Sequence, residues 1–257
     1  MPILERNTVT NLEENEFELP IGYIDRDGTL HKTFKLREMT GEVDEAIADK
    51  KVRTNAGKIV TELIYGVVES IGTLPRLDRN IIRSLTNVDR DYIVLMNHFY
   101  SLGEEVKYTD VCPACGERIE IEVEIARMKA KFMTEDEPRK IVITDLPNGF
   151  KDEHGNRYKE MTLSLPNGML QEKIFSTFDK NPQQAVTQML AMCTESIKGW
   201  DSYRFDDFKN LSKKDRKYIS DKLGEIEVGV EMSVEVDCAE CGHNFKSAIP
   251  LMTLLGE

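Results

Sequence analysis

Positive charge is in short supply in this chain. Its 257 residues carry 34 Lys+Arg against 46 Asp+Glu, a formal net charge of -12. That deficit argues against the broad basic face with which a protein neutralises phosphates, so nucleic acid is not expected as a partner. Long apolar runs are also missing. No stretch approaches the roughly 18 to 20 apolar residues of a membrane helix, and no membrane span is expected. The opening residues, Met1 to Arg6, lack the basic-then-apolar layout of a secretory signal. Only four histidines occur, His31, His98, His154 and His243. There is no Gly-rich phosphate loop, no H-E-x-x-H helix motif and no nucleophile elbow. Acids are abundant but no pair stands out, so the chain is expected not to be an enzyme and to take no small-molecule substrate. An enzyme using an unrecognised acid pair would need a deep pocket lined by perturbed carboxylates.

What the chain does have is 40% hydrophobic and 31% charged residues, a balance that suits a folded globular protein of one large or two ordinary domains. It also has five cysteines, an odd count that fits poorly with a secreted disulfide framework. Four of them form two C-x-x-C pairs, Cys112-Cys115 and Cys238-Cys241, each followed at once by glycine, Gly116 or Gly242. The spacing lets two thiolates turn toward one point, and the glycine tolerates the tight backbone of the turn. Two such knuckles supply four sulfurs, enough to close a tetrahedral zinc site with Zn–S near ~2.3 Å and no open position for water. The metal is therefore expected to be structural, one Zn2+ per chain held by Cys112, Cys115, Cys238 and Cys241. Iron in a four-thiolate site is the other metal that this donor set admits. A redox pair is disfavoured because that motif opens a helix, whereas strands are expected on both sides here. Cys193 lies on an apolar stripe and is expected to be a buried core thiol.

The two pairs are related by a fixed offset. A shift of 126 residues puts Cys112, Cys115 and Gly116 on Cys238, Cys241 and Gly242, and puts Leu85, Asp89, Arg90, Tyr92 and Ile93 on Leu211, Asp215, Arg216, Tyr218 and Ile219. Upstream the shift becomes 127 and places Leu19, Pro20, Gly22, Asp25 and Gly28 on Leu146, Pro147, Gly149, Asp152 and Gly155. Collinearity of this kind is read as an internal duplication, with a first unit over 1–130, a second over 131–257 and a charged join near Arg127 to Pro138.

Each unit is expected to open with a hairpin: Phe17 to Ile24 and Leu30 to Leu36, or Ile141 to Phe150 and Tyr158 to Leu165, with turns at Asp25–Gly28 and Asp152–Gly155. A helix is predicted over Ala56 to Ile71, with Val186, Met189, Leu190, Cys193 and Ile197 repeating its stripe in the second unit. Asn55 and Asn181 are the expected N-caps, and Pro182 sits at the first helical position. Thr86-x-x-Asp89 and Ser212-x-x-Asp215 resemble capping boxes for a second helix. Capping and intrahelix pairing are the favoured roles of Asp89-Arg90 and Asp215-Arg216 over a binding site. β segments then flank each knuckle, Val106–Val111 with Ile119–Ile125 and Val230–Val236 with Phe245–Leu251. The fold class is thus α+β: two units about a pseudo-two-fold axis, sharing one zinc-ribbon-like site whose metal links halves that are distant in sequence. His98 and His154, without histidine counterparts, read as structural or surface residues.

The run Asp89-Arg90-Asp91-Tyr92-Ile93, continuing through Ser101-Leu102-Gly103-Glu104 to Cys112-Pro113-Ala114-Cys115-Gly116, resembles the baseplate proteins of contractile-tailed bacteriophages. That family contains the T-even baseplate hub subunit and the hub-assembly factor. The second unit keeps Asp215, Tyr218 and its cysteine pair but reads Gly229-Val230-Glu231 where the first has Gly103-Glu104-Glu105. The resemblance implies a non-enzymatic structural or assembly role in a phage tail or related contractile injection machine. It implies baseplate or tail proteins as partners, and a location in the bacterial host cytoplasm or the assembled virion baseplate. The alternative is a zinc-ribbon regulator that binds nucleic acid. Acids around the knuckles, Glu117, Glu120, Glu122, Glu235 and Glu240 among them, weigh against it.

Overall fold

The computed structural model describes residues 14–178 and 180–256, so the opening Met1 to Arg6 lies outside the described residues. The first half begins with strand β1 (Glu16–Ile24) and β2 (Leu30–Leu36), paired antiparallel as the turn chemistry predicts. Asp25 builds that turn: its Oδ1 accepts from the backbone N–H groups of Asp27 and Thr29, both at 2.9 Å, and Gly28 takes φ 85°. Asp152 builds the second turn in the same way, accepting from His154 N at 2.9 Å and Asn156 N at 2.8 Å.

Helices α1 (Gly41–Ala48) and α2 (Ala56–Val67) follow, and α2 is capped by the Asn55 side chain on Lys58 N. The helix predicted to run to Ile71 stops at Val67. Val68–Ile71 is strand β3, which completes a three-stranded sheet in the order β1-β2-β3 through the pairs Leu36↔Val68, Lys35↔Ser70 and Phe34↔Ile71. Helix α3 (Arg79–Ser84) leads into α4 (Asn87–Leu102), the long helix at the centre of the larger core, with Tyr92 to Met96 all buried. The hairpin β4 (Glu105–Val111) and β5 (Arg118–Glu124) carries the first knuckle, and β6 is the short Ala130–Lys131.

In the second half the expected long hairpin is broken into short strands. These are β7 (Lys140–Ile143), β8 (Phe150–Lys151), β9 (Arg157–Tyr158) and β10 (Met161–Ser164). β8 pairs β9, while β10 lies between β7 and β11 (Thr194–Ile197). At positive φ, Gly149 sits so near the Tyr158 carbonyl that a Cβ there would be 2.5 Å away. Helices α5 (Gly168–Phe178), α6 (Pro182–Cys193), α7 (Phe205–Lys209) and α8 (Lys213–Gly224) complete this half. β12 (Gly229–Val230) pairs with β6. The hairpin β13 (Ser233–Asp237) and β14 (Asn244–Ala248) carries the second knuckle, and α9 (Leu251–Leu254) follows it.

The larger core cluster gathers the first half together with Ile249, Leu254 and Leu255, and Val230, Met232, Val234 and Val236 pack against it. A second cluster centres on Phe150, Leu163, Leu190, Phe208 and Ile219. A third, Ile21, Met133 and Leu165, lies between them. No described helix is long and apolar enough to cross a membrane.

Candidate metal centre

Each knuckle is a hairpin tip whose backbone folds back on the first cysteine. Cys112 N donates to Glu117 O and Gly116 N to Cys112 O; Cys238 N donates to His243 O and Gly242 N to Cys238 O. Gly116 and Gly242 adopt φ 79° and 69°, which a side chain would strain. The strands below alternate. Val106, Tyr108, Ile121 and Val123 turn inward, while Glu120, Glu122 and Glu124 face water. The two hairpins are fastened to each other where buried Ser247 on β14 donates to Asp110 on β4.

This packing brings all four predicted ligands together. The sulfurs of Cys112, Cys115, Cys238 and Cys241 all lie within 4.8 Å of one another. Cys112 Sγ is 3.8 Å from Cys241 Sγ, and Cys115 Sγ is 3.6 Å from Cys238 Sγ. A tetrahedron with metal–sulfur bonds near ~2.3 Å has sulfurs about 3.8 Å apart, so the donor set matches a closed S4 site. The separations far exceed the roughly 2.05 Å of a disulfide. Cys112 and Cys238 are buried, whereas Cys115 and Cys241 are exposed.

The thiols share their protons unequally. Burial opposes ionisation of Cys112, but N–H groups of Cys115 and Ala114 and the thiols of Cys115 and Cys238 outweigh it, bringing Cys112 down to about 7. At Cys115 the Glu117 N–H favours the thiolate. The neighbouring sulfurs and burial override it, and Cys115 is pushed up to about 12. One negative charge is easily held in such a cluster; four require a cation.

The other singled-out residues are structural. Cys193 is 1% exposed, and burial pushes its thiol up to about 12. Buried His98 bridges the carbonyls of Leu254 and Glu105, and His154 is exposed. Asp89 takes part in the expected capping, but it and Arg90 also bond to distant segments in place of the expected intrahelix pairing. Thr86 does cap α4, donating through Oγ1 to Asp89 Oδ2 and accepting from Asp89 N. Asp89 Oδ1 instead crosses to β1, accepting from Ile21 N at 2.8 Å and Gly22 N at 3.2 Å. Asp215 Oδ1 likewise accepts from Asn148 N at 2.8 Å and Gly149 N at 3.3 Å. Arg90 is fully buried and donates to Ile82 O, Gly57 O and Thr61 Oγ1. No local spacing exposes those long-range partners; their trace in the sequence is that Asp89, Arg90 and Thr61 recur as Asp215, Arg216 and Thr187 at the 126-residue shift. A surface groove beside the knuckle hairpins interleaves Glu122, Glu124 and Glu227 with Arg127, Lys129 and Lys131, so no single charge sign dominates it.

A family model described as T4 bacteriophage base plate protein matches residues 16–249. No curated protein and no solved structure gives a significant match.

Proposed function

Because the chain belongs to the T4 bacteriophage base plate protein family, we propose that it is a non-enzymatic structural or assembly component of a phage baseplate, held in shape by one structural zinc. The observation that carries this reading is the convergence of Cys112, Cys115, Cys238 and Cys241 to within 4.8 Å from two distant parts of the chain. Zinc supplies charge neutralisation for four thiolates and a cross-link, and with four protein sulfurs it has no open position for a substrate. Cys112 and Cys238 hold the buried side of the site; Cys115 and Cys241 close it toward solvent. Its partners are other baseplate or tail proteins, and its location is the assembled particle or the host cytoplasm where assembly takes place.

The same proposal takes the chain as a duplicated unit, 1–130 and 131–257. Shared geometry supports it. The Asp25 and Asp152 turns, the Asp89 and Asp215 bonds to backbone N–H groups of a preceding segment, and the Asn55 and Asn181 caps use equivalent positions. So do Arg90 and Arg216, which reach Thr61 and Thr187. The cysteine contacts Cys112–Cys241 and Cys115–Cys238 interchange under a two-fold operation.

Native mass spectrometry of the intact chain tests the metal. One zinc per chain, released by chelator together with loss of folded structure, is the expected result. Two metals, or none with cysteines in disulfides, would overturn the shared clamp.

A further inference from the structure

Helix α5 belongs to the second half yet lies across α2, α3 and α4 of the first. It does so with Gly168, Gln171 and Glu172, one stripe at i, i+3 and i+4. Gly168 leaves room for Arg90: a Cβ there would sit 2.6 Å from the guanidinium. Gln171 Oε1 accepts from Arg90 Nε at 3.2 Å. The Glu172 carboxylate accepts from Thr61 Oγ1 at 2.7 Å and Arg83 Nε at 2.9 Å, and its carbonyl accepts from Asn55 Nδ2 at 2.8 Å.

The matching face of the second half is open. Arg216, Thr187, Lys209 and Asn181 occupy the positions of Arg90, Thr61, Arg83 and Asn55 at the 126-residue shift. Arg216 donates to Thr187 Oγ1, Phe208 O and Gln183 O, as Arg90 does to Thr61, Ile82 and Gly57. Unlike fully buried Arg90 it is only half-buried. Lys209, Gln183 and Asn181 are exposed.

The counterpart of α5 is α1. Shifted by 127, Gly168, Gln171 and Glu172 fall on Gly41, Asp44 and Glu45. Val43 and Ile47 of α1 are buried, while Gly41, Asp44 and Glu45 are exposed, without an ion pair among the described residues. Nothing lies within 4 Å of where a Cβ of Gly41 would be, so its own chain gives that glycine no packing role.

We propose that α1 of one copy docks on the α6–α8 face of a second copy as α5 docks within the chain, with Glu45 meeting Lys209 and Thr187 beside Arg216. The proposal rests on the duplicated-unit reading. Charge complementarity selects the occupant: α1 carries Glu42, Asp44 and Glu45 and no base, and it faces Lys209 and Arg216. The acids of α7 are already engaged, Asp206 with Lys209 and Asp207 with Arg204 N. The Asp206–Lys209 pair is exposed, and such pairs are weak enough to exchange. One residue sets the strength. Gly57 admits the α5 backbone so closely that a Cβ would lie 2.6 Å from Glu172 N, but Gln183 stands at the equivalent place. The docked α1 must therefore ride further out on side-chain contacts, giving a weak head-to-tail association that depends on concentration.

Sedimentation velocity on the full zinc-loaded chain, over a concentration series at low salt, tests this. Self-association is expected to weaken by at least roughly tenfold in Glu45→Lys and in Lys209→Glu, and to return in the Glu45→Lys/Lys209→Glu pair. A wild-type chain that stays monomeric throughout, or association indifferent to both substitutions, would overturn the proposal. A photo-crosslinking side chain at position 44 is expected to join residues 205–216 of another copy; crosslinks only to a different baseplate protein would overturn the second-copy assignment. Metal content separates this idea from the clamp. All these variants should retain one zinc per chain, so a wild-type chain that stays monomeric with its zinc in place counts against α1 docking alone and leaves the clamp standing.

Discussion

Arg90 heads the fully buried side chains, and a charge in that position is expensive unless every donor finds an acceptor. Burial lowers its pKa to about 10, with Glu172 and Asp91 partly offsetting the effect, so it stays protonated at neutral pH. Arg90→Leu would take the guanidinium donors from the Ile82 carbonyl, Gly57 O and Thr61 Oγ1, and Gly57 O alone keeps a side-chain donor, Thr61 Oγ1. The expected cost is about 3–5 kcal/mol, against about 1–2 kcal/mol for half-exposed Arg216→Leu, where water can replace the lost partners. Urea midpoints of the two variants check this; equal losses would mean that the α5 cover is not what makes Arg90 matter. Asp25 gives a pH signature. The His31 side-chain bond and the Thr29 N–H hold its carboxyl below the ordinary value of 3.8. A depressed folded value contributes stability above that ordinary value and loses it as pH falls below. Asp25→Asn should therefore be less stable than wild type at pH 7, with the gap closing as the solution is acidified through and below 3.8. A constant gap across that range would remove the titrating carboxylate from the explanation. Neither residue's role was fully legible from spacing. The Asp25 turn was, because Asp-x-x-Gly is a local signal, whereas Arg90 acts through residues far away in sequence.

Among the elements, those whose causes are local matched expectation and those decided by tertiary partners did not. The caps at Asn55 and Asn181 and the knuckle turns depend on neighbouring residues and were readable. Helix α2 was overextended because Val68 and Ile71 continue its apolar stripe. The residues after Val67 gain more by hydrogen-bonding to β2, and nothing in the helical period records that partner. Short helices such as α3 and α7 escaped the same reading because so few turns show little periodicity. The α4–β1 link was hidden for a related reason: Asp89 satisfies a capping pattern, yet one oxygen serves Ile21 and Gly22. Asp89→Ala should leave those two buried N–H groups without acceptors, at about 2–4 kcal/mol. Amide exchange provides the specific check. Ile21 and Gly22 should lose protection well beyond their β1 neighbours; uniform loss along the strand would point to general loosening instead.

For the whole molecule, the question is what keeps residues of the two halves together. Among the fastenings are α5, laid over α2–α4, and the cysteine cluster, which joins positions 123 apart in sequence. They should fail differently. Gly57→Ala would place a methyl group 2.6 Å from the Glu172 backbone. It should force α5 outward and cost about 2 kcal/mol through overpacking, with the metal retained. Removing the metal acts on the folded chain, since only the folded chain brings the four sulfurs together and the binding free energy of the metal is lost with it. It also leaves like charges or newly protonated thiols crowded at the hairpin tips. Cys112→Ser and Cys238→Ser should therefore each lose the same single zinc, and each should lower one cooperative transition that reports both halves. Added chelator should bring wild type close to either variant and change the variants little. Fluorescence of Trp200, in the cluster around Phe150 and Phe208, follows the second half. Hydrogen exchange at Leu95 and Met96 follows the first. If Cys112→Ser loosened only the first and Cys238→Ser only the second, each knuckle would be serving its own half and the cross-link would carry no coupling between them.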